Sequence, residues 1–183
     1  DSHWTLLVHF IDVGQGGAVL IQLRDKNILY DCGDTGKGKD VLEYLGDHDV
    51  KTIDLLVASH AHKDHIGGCI LIFQKMKVKA VYDNGSKSKT ATYKKFKKLA
   101  REKSSYRAIT GDVKEGELEF HVAYDTRPKL SEADRSVMLK IVHGQVAFLF
   151  TGDCEEACEE ELAKGVNLNV TVKGAAAQRL RPS

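Results

Sequence analysis

The chain has 183 residues, 42% of them apolar, which suits one compact domain with a sizeable core. Its 27 Lys and Arg balance 26 Asp and Glu, and a net charge of +1 gives no global attraction to nucleic acid or anionic membrane. No apolar run approaches the roughly 20 residues a bilayer-spanning helix needs, so this segment is expected to make no membrane contact.

The chain opens at Asp1 without a Met and soon enters strand-like sequence, which reads as a processed or excised segment. Residues 5–13 (TLLVHFIDV), 18–23 (AVLIQL) and 27–31 (NILYD) are short apolar runs parted by Gly-rich or charged turns, and they predict an antiparallel meander. Val41, Leu42 and Leu45 have helical spacing over 39–46, with Gly46 in the C-cap role. A strand follows at 52–60, then helix-like sequence after Gly67-Gly68, a strand at 78–84 and a lysine-rich helix at about 91–103. Strands near 117–124, 136–142 and 146–151, a helix at 155–164 and a strand at 168–173 complete the pattern. The order predicts an α/β fold of two sheets with helices on their outer faces. With only Pro128 and Pro182 and no low-complexity linker, residues 1–183 read as a single domain.

Cys32, Cys69, Cys154 and Cys158 are too few and too irregularly spaced to announce a disulfide framework or a four-thiolate zinc site, so buried free thiols are expected.

The chemistry concentrates in Ser59-His-Ala-His-Lys-Asp-His-Ile-Gly-Gly68, where three imidazoles and one carboxylate follow an apolar strand directly. Imidazole and carboxylate suit zinc and other borderline divalent metals, and a turn leaving a strand aims alternate residues at one point. His60 and His62 would share one metal. Asp64 and His65, across the turn, would reach a second at the two-metal distance of about 3.5–4 Å. A solvated loop whose histidines merely cap the next helix is the alternative, and the density of ligand types argues against it.

The run HAHKDHIGG resembles the His-x-His-x-Asp-His motif of the metallo-β-lactamase superfamily. FIDVGQG at 10–16 and ILYDCG at 28–33 are similar to the first strands and buried Asp motif of its ComEC-type branch, the competence proteins that handle incoming DNA. VAFLFTGD at 146–153 resembles the motif whose terminal Asp bridges two metals. Over about residues 8–173 the resemblance implies an αββα sandwich with the metal site at one edge. It implies His60, His62, Asp64, His65 and Asp153 as ligands and Asp31 as a carboxylate supporting them. It also implies two divalent cations, zinc or manganese, that bring a bridging water near neutral pKa, with Asp64 as the catalytic residue that orients or deprotonates it. Cys32 and Cys154 follow Asp31 and Asp153, and packing is the preferred reading over thiolate ligation.

Three departures stand out. Gly17 occupies the place where ComEC-like proteins carry a carboxylate. The third motif corresponds to Glu132-Ala-Asp-Arg-Ser136, where Asp134 is a substitute ligand candidate. No histidine follows His143, and the last stretch reads NVTVKGAAAQRLRPS instead of ending in His-His-Gly-Ser. The C-terminal part of the fold is therefore expected to be truncated, and the second metal site weakened. His9, His48, His121 and His143 read as structural or solvent-exposed.

Lys75 to Arg107 holds twelve Lys or Arg against Asp83 and Glu102, and its portion from Lys87 to Arg107 is the candidate DNA contact. A solvated helix face with Tyr93, Phe96, Leu99 and Ala100 turned inward explains the same pattern. The reading is a metal-dependent hydrolase, phosphodiesterase- or nuclease-like, acting on DNA or another phosphodiester. The alternatives are a hydrolase of esters, lactones or lactams, or a catalytically degenerate DNA- or metal-binding domain. Oligomeric state and compartment are not legible, although a secreted or extracytoplasmic bacterial domain is compatible.

Overall fold

The computed structural model describes residues 6–122, 131–155 and 158–160. The first sheet has six strands in the order β1 (Leu6–Phe10), β2 (Val19–Leu23), β3 (Lys26–Tyr30), β4 (Thr52–Val57), β5 (Lys77–Asp83) and β6 (Ser105–Ala108). β1, β2 and β3 form the antiparallel meander, and β3 to β6 run parallel. The helices α1 (Gly38–Asp47), α2 (Lys63–Ile66), α3 (Cys69–Lys75) and α4 (Ala91–Lys103) lie in the crossovers between parallel strands. The second sheet is antiparallel, in the order β10 (Val146–Phe150), β9 (Val137–His143), β8 (Leu118–Val122) and β7 (Val113–Glu115).

Strand alternation divides the apolar residues between two cores. Leu20, Leu29, Leu56 and Val81 face outward from the first sheet and pack with Val41 and Leu45 of α1, Phe73 of α3 and Phe96 of α4. Val19, Ile21, Ile28 and Val57 face inward and meet Phe120, Leu139, Ile141 and Phe150 of the second sheet. β2 to β4 thus bury both faces, which is why they read as near-continuous apolar runs. Full burial of a side chain such as Phe73, Phe96 or Phe120 contributes about 2–3 kcal/mol. Beyond the second sheet, Cys158 of a helical turn packs on Met138 of β9. The architecture is the αββα sandwich.

Four sequence expectations change. The cysteines are not free: Cys32 bridges to Cys69 and Cys154 to Cys158. Cys32 leaves β3 and Cys69 opens α3 with Cα atoms 5.2 Å apart, a separation a disulfide spans. That approach depends on Gly68, where a Cβ would overlap the Cys32 carbonyl oxygen. Gly46 is not a C-cap, because α1 continues to Asp47 and His48 caps it, with the left-handed residue at Asp49. The strand beginning at Thr52 ends at Val57, so the histidine motif lies wholly off the sheet. β6 and β7 were not anticipated; they are short, half-exposed and charge-interrupted. The expected strand at 168–173 and most of the helix at 155–164 lie outside the described residues.

Candidate metal centre

β3 and β4 are parallel neighbours, so Asp31 and the segment Ala58 to His62 emerge at the same edge. Asp31 adopts φ +59, a left-handed conformation costly for a residue with a side chain, and it persists here because its surroundings over-determine it. Its backbone N donates to Val57 O at 2.8 Å. Its Oδ1 accepts the Ser59 backbone N–H and its Oδ2 the Ser59 hydroxyl, both at 2.7 Å. Asp31 Oδ2 also lies 2.7 Å from His65 Nδ1. A single buried carboxylate thereby fixes the exit of β4 and the ring of a histidine on α2.

The other sheet supplies the closing wall. Val137 N donates to Ser59 O at 2.7 Å, and Tyr30 Oη donates to Val137 O at 2.7 Å, which holds β9 against the motif. β10 then delivers Asp153 through the turn Thr151-Gly152. Among the described residues, His60, His62 and Asp153 form a group whose ligand atoms all lie within 4.8 Å of one another. His60 Nε2 is 2.9 Å from His62 Nδ1 and 3.8 Å from Asp153 Oδ2. His60 Nδ1 lies 2.9 Å from Ser59 Oγ, leaving Nε2 toward the group.

His65 completes the arrangement, its ring centroid 4.3 Å from that of His60. Its Nε2 is buried without an aligned hydrogen bond, yet lies 3.2 Å from Asp153 Oδ1. With Nδ1 committed to Asp31, this nitrogen points an unshared lone pair or a proton at Asp153. Burial acts to lower the His65 pKa, but the Asp153 and Asp31 carboxylates outweigh it and hold it up at about 10. His60 is pushed down to about 4, first by burial and then by the charge on His65. The His65 contact holds Asp153 below the usual carboxylate range. The positive charge on a protonated His65 offsets part of the charge of these two carboxylates, a role a divalent cation could fill. The donor set of two to three imidazoles and a carboxylate, with one buried orphan nitrogen, fits a borderline metal.

The remaining candidates fall elsewhere. Asp64 sits in the first turn of α2 and is not among the grouped ligand atoms. Its carbonyl abuts Gly16, which has φ +94 and where a Cβ would overlap that oxygen, so the FIDVGQG loop buttresses α2. Asp134 is likewise outside the group; its Oδ2 accepts the Ser131 hydroxyl at 2.7 Å in a local turn. Glu132 was not anticipated. Its Oε1 accepts the Ala61 backbone N–H at 3.2 Å and the Asn84 amide at 2.9 Å, and its Oε2 the Ser86 hydroxyl at 2.9 Å. It lies 71 residues beyond Ala61, so nothing local in the sequence could have paired them.

Two stacked sheets, helices outside and a His/Asp group at the strand ends define the class of folds that builds metal-dependent hydrolase centres. The chain belongs to the metallo-β-lactamase superfamily, whose family model matches residues 11–181. ComE operon protein 3 of Bacillus subtilis is 28% identical over 177 residues, covering 85% of this chain and 23% of that protein. Competence protein ComA of Neisseria gonorrhoeae is 28% identical over 152 residues, covering 82% and 20%. The chain thus spans less than a quarter of these relatives. In fold it is similar to the metallo-β-lactamase fold protein YhfI of Bacillus subtilis, with TM-score 0.53 and 20% identity over 75% of this chain and 54% of that one. The ComEC-type resemblance in the sequence is thereby matched by relatives of that type.

Proposed function

We propose that the chain is a metal-dependent phosphodiesterase acting on DNA or a related phosphodiester. The observation that carries the reading is the convergence of His60, His62 and Asp153, with His65 Nε2 3.2 Å from Asp153 Oδ1. His60, His62 and Asp153 would hold one cation, and Asp153 with His65 would contribute to a second. Imidazole donors favour zinc, whereas an oxygen-richer second position favours manganese. Bound there, such cations supply Lewis-acid polarisation of a phosphoryl oxygen and water activation near neutral pH. Asp31 and Ser59 keep the imidazoles oriented with one nitrogen each toward the centre, and this preorganisation limits reorganisation during the reaction. Asp64, on the adjacent turn, is assigned the orientation or deprotonation of the attacking water. A phosphodiester is preferred over a lactam, lactone or thioester because the similarity to competence proteins extends over most of the chain.

The test is a substrate panel of bis-p-nitrophenyl phosphate, a DNA oligonucleotide, nitrocefin and a lactone. Turnover of the two diesters, abolished by EDTA and restored by manganese or zinc, is expected. Turnover confined to nitrocefin or the lactone would overturn the substrate assignment. A second reading, a domain that binds without turning over, is favoured by Asp64 standing outside the ligand group. Inactivity on all four substrates with metal bound would select it.

A further inference from the structure

On the other side of Glu132 from the histidine motif lies a feature the metal centre does not use. The loop after β5 and the exposed face of α4 enclose an open groove of about 610 Å³, lined by Lys87, Lys94, Lys97, Lys98 and Arg101 and by no acidic residue. For a chain of net charge +1, five cations around one groove are a strong local concentration. The inward packing of Tyr93, Phe96 and Ala100 accounts for α4 as a helix. It does not account for a facing wall that adds Lys87 and no acid.

The groove is braced. Lys97 Nζ donates to Ser86 O and to Tyr93 Oη, each at 3.3 Å, and lies 5.1 Å from the Tyr93 ring centroid. It closes the floor between loop and helix. Lys94, Lys98 and Arg101 follow at i, i+4 and i+7, so their charges line one helix face at steps of about 5–6 Å. Among the described residues no carboxylate pairs with Lys87 or Lys94, and Lys98 reaches Glu102 only at 3.9 Å between exposed side chains. The Glu132 carboxylate connects this groove to the metal centre, since it holds Ser86 of the groove wall and Ala61 between the two metal-motif histidines.

We propose that this groove is a phosphate-binding subsite for a polynucleotide backbone, holding phosphates beside the bond presented at the metal centre. It rests on the phosphodiesterase reading for what happens to the bound strand, though the binding itself requires no metal. A lipid surface is disfavoured because, among the described residues, the exposed large apolar side chains Leu7, Phe10 and Val146 belong to β1 and β10, not to the groove.

The experiment combines Lys87→Ala, Lys94→Ala, Lys98→Ala and Arg101→Ala, leaving Lys97 as the structural floor. Binding of a labelled single-stranded oligonucleotide is followed by anisotropy in EDTA at rising salt, with turnover of bis-p-nitrophenyl phosphate measured separately with metal. The parent is expected to bind with salt-sensitive affinity. The variant should bind on the order of 10- to 100-fold more weakly, with a salt slope shallower by roughly 3, as loss of four phosphate contacts to a single strand implies. Its thermal unfolding and small-diester turnover should match the parent's, while its KM for the oligonucleotide rises. Unchanged affinity and slope would overturn the proposal, as would equal variant-sensitive binding to phosphatidylglycerol vesicles. If the quadruple variant unfolds, the single charge reversal Lys94→Glu must weaken binding for the proposal to stand. Variant-sensitive binding by a parent that turns over neither diester would retain the groove and refute the phosphodiesterase reading.

Discussion

The Asp31 carboxylate lies 2.7 Å from His65 Nδ1 with both side chains buried, and the same carboxylate accepts two hydrogen bonds from Ser59. Asp31 touches no grouped ligand atom directly, yet it sets the orientation of His65 and, through Ser59, of His60. Asp31→Ala should weaken metal affinity by about 10- to 100-fold, the usual cost of losing such a supporting carboxylate. It should also destabilise the fold by about 1–3 kcal/mol, because buried donors on Ser59 lose their acceptor. Metal titration and thermal melts check both, and an affinity equal to the parent's would refute the positioning role.

His62 is exposed, whereas His60 and His65 are buried. His62→Ala should therefore remove most bound metal while leaving the unfolding temperature of the metal-free protein nearly unchanged. Full metal content in that variant, measured by plasma mass spectrometry, would exclude His62 as a ligand.

Asp64 stands apart from the ligand group, so its contribution separates from metal loading. Asp64→Asn should keep the cation held by His60, His62 and Asp153 and lower turnover by about 10²–10⁴-fold, the span of general-base assistance. Loss of all metal in this variant would show Asp64 to be a ligand.

Neighbouring glycines should respond differently. At Gly16 a Cβ would overlap the Asp64 carbonyl and the backbone has positive φ, so Gly16→Ala should displace α2 and reduce both stability and activity. At Gly17 the new Cβ would meet Asp31 Oδ2 and His65 Nδ1 at 3.5 Å, an ordinary contact, so Gly17→Ala should be tolerated. Equal melting temperatures for the two variants would contradict this account of the loop.

Glu119 faces Lys114 across β7 and Lys140 across β9. The Lys114 contact, with that of Lys140, holds its pKa below the usual 4.5 despite partial burial. A depressed carboxylate contributes stability above its unfolded value and loses it as pH falls through the folded one. Glu119→Gln should thus cost up to about 1 kcal/mol near neutral pH and nothing well below pH 4. A pH series of melts that shows the same cost at both ends would refute the assignment.

Much of the fold was legible because β2, β3 and β4 are mostly apolar, broken only by single polar residues such as Gln22 and Asp54 or, in β3, by the opening Lys26-Asn27, and α4 has a clear helical face. β6 and β7 were missed because Ser-Tyr-Arg-Ala and Val-Lys-Glu are too short and too charged to carry a period. The histidine motif announced its chemistry because its ligand types are contiguous. Glu132 could not be found that way, since its partners Ala61 and Ser86 meet it only once both sheets have packed. The cysteines failed for a related reason: a separation of 37 residues gives no hint that Cys32 and Cys69 come within bridging distance. Reduction of that bridge should cost about 3–4 kcal/mol of stability, an effect read from melts with and without dithiothreitol.

The histidines come from the end of β4 in one sheet and Asp153 from the end of β10 in the other. A cation held as proposed would thus also fasten the two layers together, and its affinity would report how well they are seated. By linkage, whatever loosens the contact of Ile21 and Val57 with Phe120 and Ile141 must also loosen the grip on metal, although none of these side chains is a ligand. Under the proposed function, removing the metal should therefore lower the melting temperature as well as abolish turnover, while the apolar contacts between the sheets keep the layers together.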